Sequence, residues 1–158
     1  MTDLVTARLI LRPWSELDVK AVVGETRLPS WAADFPSEGD IVIAGVLLKN
    51  PVWLSPSGHR LIIERATDEV VGSLGLFWPP SDGRVEIGYG VVPSRQGRGY
   101  ASEATAALTA FALELDGVHT VHANVEPANP ASARVLEKAG FTRYQSTDEL
   151  IGYQRTAG

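Results

Sequence analysis

A mixed α/β sheet with helices on its faces is the fold class this sequence predicts, and three observations carry it. Residues 60–92 hold three alternating, β-branched runs separated by turn residues, which reads as a β-meander. Residues 100–140 hold two stretches of helical periodicity with end signals, on either side of one strand-like run. Residues 141–144 and 150–154 add a closing pair of strand-like runs.

Taken in order, residues 8–12 (RLILR) have strand character and stop at Pro13. Ser15-Glu16-Leu17-Asp18 sets a capping pattern ahead of Val19, Val22 and Val23, predicting a first helix. Residues 28–37 carry Pro29 and Pro36 around Trp31 and Phe35 and read as a loop. The capping pattern recurs at 37–40 before IVIAGVLLK, whose β-branched start leaves helix and strand both open. Residues 61–64 read as a strand and 67–69 as a turn. A second strand runs from Val70 through Leu74 and Leu76 to Trp78, where Pro79-Pro80 ends it. Ser81-Asp82-Gly83 signals a turn, and residues 84–92 form the third strand, with Val85, Ile87, Tyr89 and Val91 on one face. A helix at 100–115 presents Ala104, Leu108, Phe111 and Leu115 as its apolar stripe and ends at Asp116-Gly117. After a strand at 118–125, Asn129 caps a second helix, Pro130 takes its first turn and Gly140 closes it.

With 158 residues and neither an internal repeat nor a linker, the chain reads as one domain spanning 1–158. The absence of cysteine excludes disulfides, thiolate metal sites and a cysteine nucleophile, and suits a reducing compartment. The opening MTDLVTARLILRPW turns polar too soon for a signal peptide, and no apolar run approaches the ~20 residues of a membrane helix. A soluble cytoplasmic protein is the expectation, with monomer and homodimer both open. A net charge of −5 without a basic stripe argues against a nucleic-acid partner, and it is compatible with an amine-bearing acceptor.

The segment richest in chemistry is Val91-Val92-Pro93-Ser94-Arg95-Gln96-Gly97-Arg98-Gly99-Tyr100-Ala101. A strand ends, and a turn with two glycines opens directly into a helix. The first amides of a helix have no partner within it and sit at the positive end of its dipole, so main-chain donors alone can hold a phosphate there. Gly97 and Gly99 leave room for close approach, and Arg95 and Arg98 add charge beside them. A structural turn using glycine only for its conformation is the alternative. The Gly-Lys-Ser/Thr of a P-loop is absent, and Ser102 stands where a dinucleotide fingerprint requires its third glycine.

Gln96-Gly97-Arg98-Gly99-Tyr100-Ala101 resembles the Gln/Arg-x-x-Gly-x-Gly/Ala signature of the GNAT N-acetyltransferases. Downstream, Asn129-Pro130-Ala131-Ser132 leading into Val135-Leu136-Glu137-Lys138-Ala139-Gly140-Phe141 is similar to that family's CoA-side helix and the Gly-Phe after it. Thr6-Ala7-Arg8-Leu9-Ile10-Leu11-Arg12-Pro13 and Glu86-Ile87-Gly88-Tyr89 look like the branch that includes acetylases of ribosomal-protein N-termini (RimJ/RimL-like). The resemblance covers nearly the whole chain and weakens between about residues 20 and 58.

That resemblance implies a mostly antiparallel sheet of about six to seven strands, helices on both faces, and a cleft for CoA where strands splay. It implies acetyl-CoA as co-substrate, no metal, and direct transfer to a primary amine on a small molecule or a peptide N-terminus. The diphosphate would sit on Gln96, Gly97, Arg98, Gly99, Tyr100 and Ala101, with Ser102 next in the same turn. The pantetheine arm would run along the strand ending at Val91-Val92, with the Val92 N–H aimed at the thioester oxygen. Asn129 would reach CoA from the opposite side; capping its helix is its other role. A non-catalytic acyl-CoA sensor of the same fold is the alternative function.

Glu86 is the candidate general base, since it shares a strand face with Gly88 and Gly90, whose missing side chains leave a groove beside the carboxylate. Pairing with Arg84 or Arg60 is the competing role. The position at which many GNAT enzymes carry a tyrosine acid is Leu136 here, and the RimL-like substitute maps to Ser132, which also fits as a residue of its own helix start. His119 and His122, three apart in a strand, point to opposite faces, and His59 stands alone, so no zinc site is assembled. Trp14, Trp31, Trp53 and Trp78 are each open between core and acceptor pocket.

Overall fold

The computed structural model describes residues 2–157. Its strands are β1 (Leu4–Val5), β2 (Leu9–Pro13), β3 (His59–Glu64), β4 (Glu69–Leu76), β5 (Arg84–Val91), β6 (Thr120–Val125), β7 (Thr142–Ser146) and β8 (Ile151–Thr156). They form one sheet in the order β1-β2-β3-β4-β5-β6-β8-β7, antiparallel at every junction except the parallel β5–β6 pair. Eight strands replace the expected six to seven. The two-residue β1 is too short to leave a periodic pattern in sequence.

Helices α1 (Glu16–Val23) and α2 (Glu38–Lys49) begin with the same device. In each, the serine before the helix accepts from the amide three residues on, and the aspartate at that position accepts from the serine's own amide. Such caps contribute about 1 kcal/mol each. The run left open between helix and strand is therefore the helix α2. Its capping box outweighs its β-branched start, and Ala44 and Leu47 are buried on one side.

Helices α3 (Tyr100–Leu113) and α4 (Pro130–Lys138) follow the meander. The buried face of α3 takes in Thr105 and Thr109 beside Ala104 and Leu108, while Phe111 and Leu115 are only partly buried. Antiparallel partners share a sheet face, so the register tells which helix lies on which side. Ser73 pairs with Gly90, and its hydroxyl donates to Asp40 of α2 at 2.5 Å. Leu74 pairs with Tyr89, whose hydroxyl reaches Ser132 of α4 from the other face. Helices thus cover both faces, and Leu11, Ile62, Leu74, Val85, Leu108 and Val121 are buried in the core between the layers.

One irregularity positions the site. The parallel β5–β6 pairing covers only Arg84↔Thr120, Val85↔Val121 and Glu86↔His122. Beyond Glu86 the two strands part, while β5 stays paired with β4 out to Val91. The sheet opens into a cleft there.

Candidate active site

The cleft between β5, the turn after it, and α4 encloses about 530 Å³. Of the residues singled out from sequence, Val91, Gln96, Gly97, Gly99, Tyr100, Ala101, Ser102, Asn129 and Ser132 line it; Val92, Arg98 and Glu86 do not. Gly99 occupies the N-cap of α3 with φ +83°, and Gly97 has φ +79°. Both conformations favour glycine. Among the described residues, the amides of Gly97, Arg98, Gly99, Tyr100, Ala101 and Ser102 donate to no protein acceptor, whereas Gln96 N–H donates to Pro93 O at 3.3 Å. Six consecutive free amides at a helix N-terminus form a ready anion cradle.

This turn is held from beneath. Glu64, at the end of β3 with a side chain 3% exposed, accepts from Tyr100 Oη at 2.6 Å, Thr67 Oγ1 at 2.7 Å, and Arg95 Nε and Arg98 Nη1 at 3.2 Å each. Burial alone would push this carboxyl up, but the hydrogen bonds from Tyr100, Thr67 and Arg95 win and bring it down to about 2. Arg8 clamps from the side: it pairs with Glu103 at 2.8 Å, donates to Arg98 O at 2.7 Å and lies over the Tyr100 ring at 4.7 Å. Asp34 accepts from both the amide and hydroxyl of Ser94.

The arginines of the turn are thus spoken for within the protein. Arg95 pairs with Glu64 and Glu69, and Arg98 with Glu64. Among the described residues, Arg134 and Lys138 of α4 line the cleft without an ion pair. Sequence reasoning gave neither a role of its own, although their four-residue spacing puts them on one helix face. Glu64 was missed as well, its only mark being a lone acid closing an apolar run.

Val92 requires a correction. Its amide, expected to face the thioester, donates to Val71 O at 2.9 Å, and its side chain is fully buried. Phe77 N–H likewise donates to Glu86 O. An antiparallel ladder alternates, so even-numbered positions of β5 turn their backbone groups to β4, and Tyr89 and Val91 turn theirs to the parted side. Val91 O already accepts from Gln96 Nε2 at 2.8 Å, which ties the turn to the strand.

Asn129 caps α4, its Oδ1 accepting from Ser132 N–H at 3.2 Å, and it also borders the cleft. Ser132 Oγ lies 2.5 Å from Tyr89 Oη, and the Tyr89 hydroxyl also lies 3.1 Å from Ser132 O. Burial raises the Tyr89 phenol above its ordinary value, and the bond to Ser132 pulls the other way. Tyr89 borders the cleft; the sequence marked it only as part of the Glu86–Tyr89 stretch and of one strand face, with no role of its own. Leu136 is fully buried in the core.

Glu86 is half-buried on the Gly88/Gly90 face, and its carboxylate makes no hydrogen bond or ion pair among the described residues. Arg84 bonds Gln154 instead, and Arg60 donates to the carbonyls of Thr2, Leu11 and Pro56. Trp14 and Trp31 are core residues. Among the described residues no three His, Asp or Glu side chains converge as a metal site, and no helix is long and apolar enough to cross a membrane.

Comparison with known proteins agrees with this architecture. The sequence profile of the acetyltransferase (GNAT) domain matches residues 8–142. The uncharacterized N-acetyltransferase p20 of Bacillus licheniformis is 34% identical over 158 residues, 99% of this chain and 83% of that protein. A crystal structure of an acetyltransferase from Agrobacterium tumefaciens superposes with a TM-score of 0.72 at 29% identity, covering 99% of this chain and 95% of that one. The RimL ribosomal L7/L12 α-N-protein acetyltransferase, solved in complex with coenzyme A, shares the fold with a TM-score of 0.70 at 19% identity, over 98% of each chain. From its sequence match and its fold alike, this chain belongs to the GNAT acetyltransferase family and is an acyltransferase.

Proposed function

We propose that the protein binds acetyl-CoA in the β5–β6 cleft and transfers the acetyl group by direct attack to a primary amine. The observation that carries this reading is the run of six unengaged amides from Gly97 to Ser102 at the mouth of the cleft. They suit a diphosphate, with Arg134 and Lys138 supplying charge from across the cleft. The pantetheine arm would then pair with the outward backbone groups of Tyr89 and Val91 as an added strand would.

In the transfer step the amine lone pair attacks the thioester carbonyl carbon, and the C–S bond breaks with its electron pair leaving on sulfur. The Val91 N–H supports polarisation of the carbonyl oxygen, the kind of fixed donor that contributes most in acyl transfer. The proton lost by the amine nitrogen goes to Glu86 through a chain of waters, because Glu86 lies five residues, about 16 Å, along the strand from the Val91 N–H, too far for direct contact. The thiolate takes its proton from the Ser132–Tyr89 hydroxyl pair. A phenol whose pKa burial raises stays protonated at neutral pH, as a donor must. The positioning of both reactants supplies much of the rate. A cytoplasmic setting goes with this reading.

Thiol release from acetyl-CoA across a panel of amines and peptides tests it, with CoA affinity measured alongside by calorimetry. Release with at least one amine is expected, and Glu86→Gln should lose rate while keeping CoA affinity. Tight CoA binding without release for any acceptor would point to an acyl-CoA sensor, and no CoA binding would end both readings.

A further inference from the structure

A second cavity, of about 330 Å³, lies on the α2 face and shares Tyr89 and Gly90 with the first. Its floor is built by an aromatic cluster that glycines make possible. His59, Gly75 and Gly88 pair in one row across β3, β4 and β5. The His59 ring lies so close over Gly75 that a Cβ there would stand 2.1 Å from Nδ1, and Phe77 leans over Gly88. His59 and Phe77 meet edge to face with centroids 5.3 Å apart, and Trp53 packs against both.

Ser37, Ser73 and Tyr89 bring hydroxyls to this lining, and two further polar groups, Asp40 and His59, are each nearly fully buried. Asp40 already receives three donors: the amide and hydroxyl of Ser37 and the hydroxyl of Ser73. His59 is 2% exposed, lines the cavity, and its Nε2 has no partner. Burial lowers its imidazole to about 4, so the ring is neutral at working pH. A buried ring nitrogen without a partner is costly, and a ligand group that pairs with it removes that penalty.

The lining also excludes. It contains no Lys or Arg, so an acceptor's carboxylate would enter without a cation and beside the Asp40 carboxylate. A second ammonium, as in a polyamine, would find the one carboxylate already satisfied. We propose that this cavity takes a monoamine whose neighbouring group is compact, uncharged and aromatic or branched, and that His59 determines specificity, a small turn of its ring bringing the Nε2, sealed from solvent in this structure, onto a hydroxyl or amide of that group. The inference rests on the acetyl-transfer reading above and names its acceptor class.

The test is thiol release from acetyl-CoA with phenethylamine, tyramine, phenylalaninamide, free phenylalanine and spermidine, using wild type and His59→Phe. For wild type, kcat/KM should be highest for tyramine or phenylalaninamide and at least about tenfold lower for phenylalanine and spermidine. In H59F the loss should be about tenfold for tyramine or phenylalaninamide and within about twofold for phenethylamine, with CoA affinity unchanged. Equal loss for all three would reduce His59 to a packing role and overturn its assignment. Should H59F lose CoA binding, His59→Leu replaces it in the same comparison. Preference for spermidine or phenylalanine overturns the acceptor class while leaving acetyl transfer intact. No release with any amine, despite CoA binding, is instead the failure of the transferase reading.

Discussion

Replacing Glu64 by glutamine removes one charge from the underside of the turn at residues 97–102 while keeping the size of the side chain. Four donors converge on that carboxylate, and a Gln side chain offers only one oxygen to them, with an NH₂ group set against the rest. Breaking a buried ion pair on one side typically destabilises by about 3–5 kcal/mol. Arg95 keeps Glu69 as a partner, and Arg98 is half exposed, so the loss falls at or just below that range, about 2–3 kcal/mol. For a domain of this size that is a fall in Tm of about 5–10 °C. The pH dependence has a definite sign. The folded carboxyl is lowered to about 2, so its contribution is present above the ordinary value of 4.5 and is lost as pH falls through about 2. Thermal unfolding followed by circular dichroism should therefore show the full gap between wild type and E64Q at neutral pH and a narrowing gap below about pH 4.5. CoA affinity should drop about tenfold, because the six amides lose their fixed spacing. A Tm within about 1 °C of wild type at neutral pH, or a gap that ignores acid, would refute the assignment of Glu64 as the anchor.

Tyr89→Phe should lower kcat by about 10- to 100-fold with CoA affinity unchanged, since it removes one half of a donor pair; single-turnover thiol release checks this. Gly99→Ala places a Cβ 3.3 Å from Arg8 Nη2 at φ +83°, so it should cost about 1–2 kcal/mol in denaturant unfolding and weaken CoA binding, measured by calorimetry. Lys138→Ala should weaken CoA several-fold at low salt and by less at high salt, because an exposed cation is screened over about 10 Å at 0.1 M ionic strength; titrations at two salt concentrations decide it.

Much of the fold was legible because its signals are local. Ser37 and Asp40 mark the start of α2, and the Asn129-Pro130 and Gly140 ends of α4 can be read from adjacent residues. The two glycines opening α3 pointed to the anion cradle for the same reason. What escaped depends on partners distant in sequence. Side-chain alternation in β5 is visible in the chain, but which neighbouring strand takes the even-numbered amides is decided by pairing with β4, so the sequence does not show that the Val92 amide is taken by Val71 while that of Val91 turns to the parted side. Arg95 and Arg98 look like phosphate ligands until Glu64, more than thirty residues away, engages them. Tyr89 meets Ser132 across 43 positions of sequence, and no periodicity encodes that contact.

The most direct measurement is an amide-resolved NMR titration with CoA, then with inorganic pyrophosphate. The backbone N–H resonances of Gly97, Gly99, Tyr100, Ala101 and Ser102 are expected to move downfield together with both ligands, as free donors do on meeting an anion, while Val92 N–H stays fixed in its bond to Val71. Saturable CoA binding that leaves those five resonances unmoved would contradict a diphosphate held by the main chain at this turn.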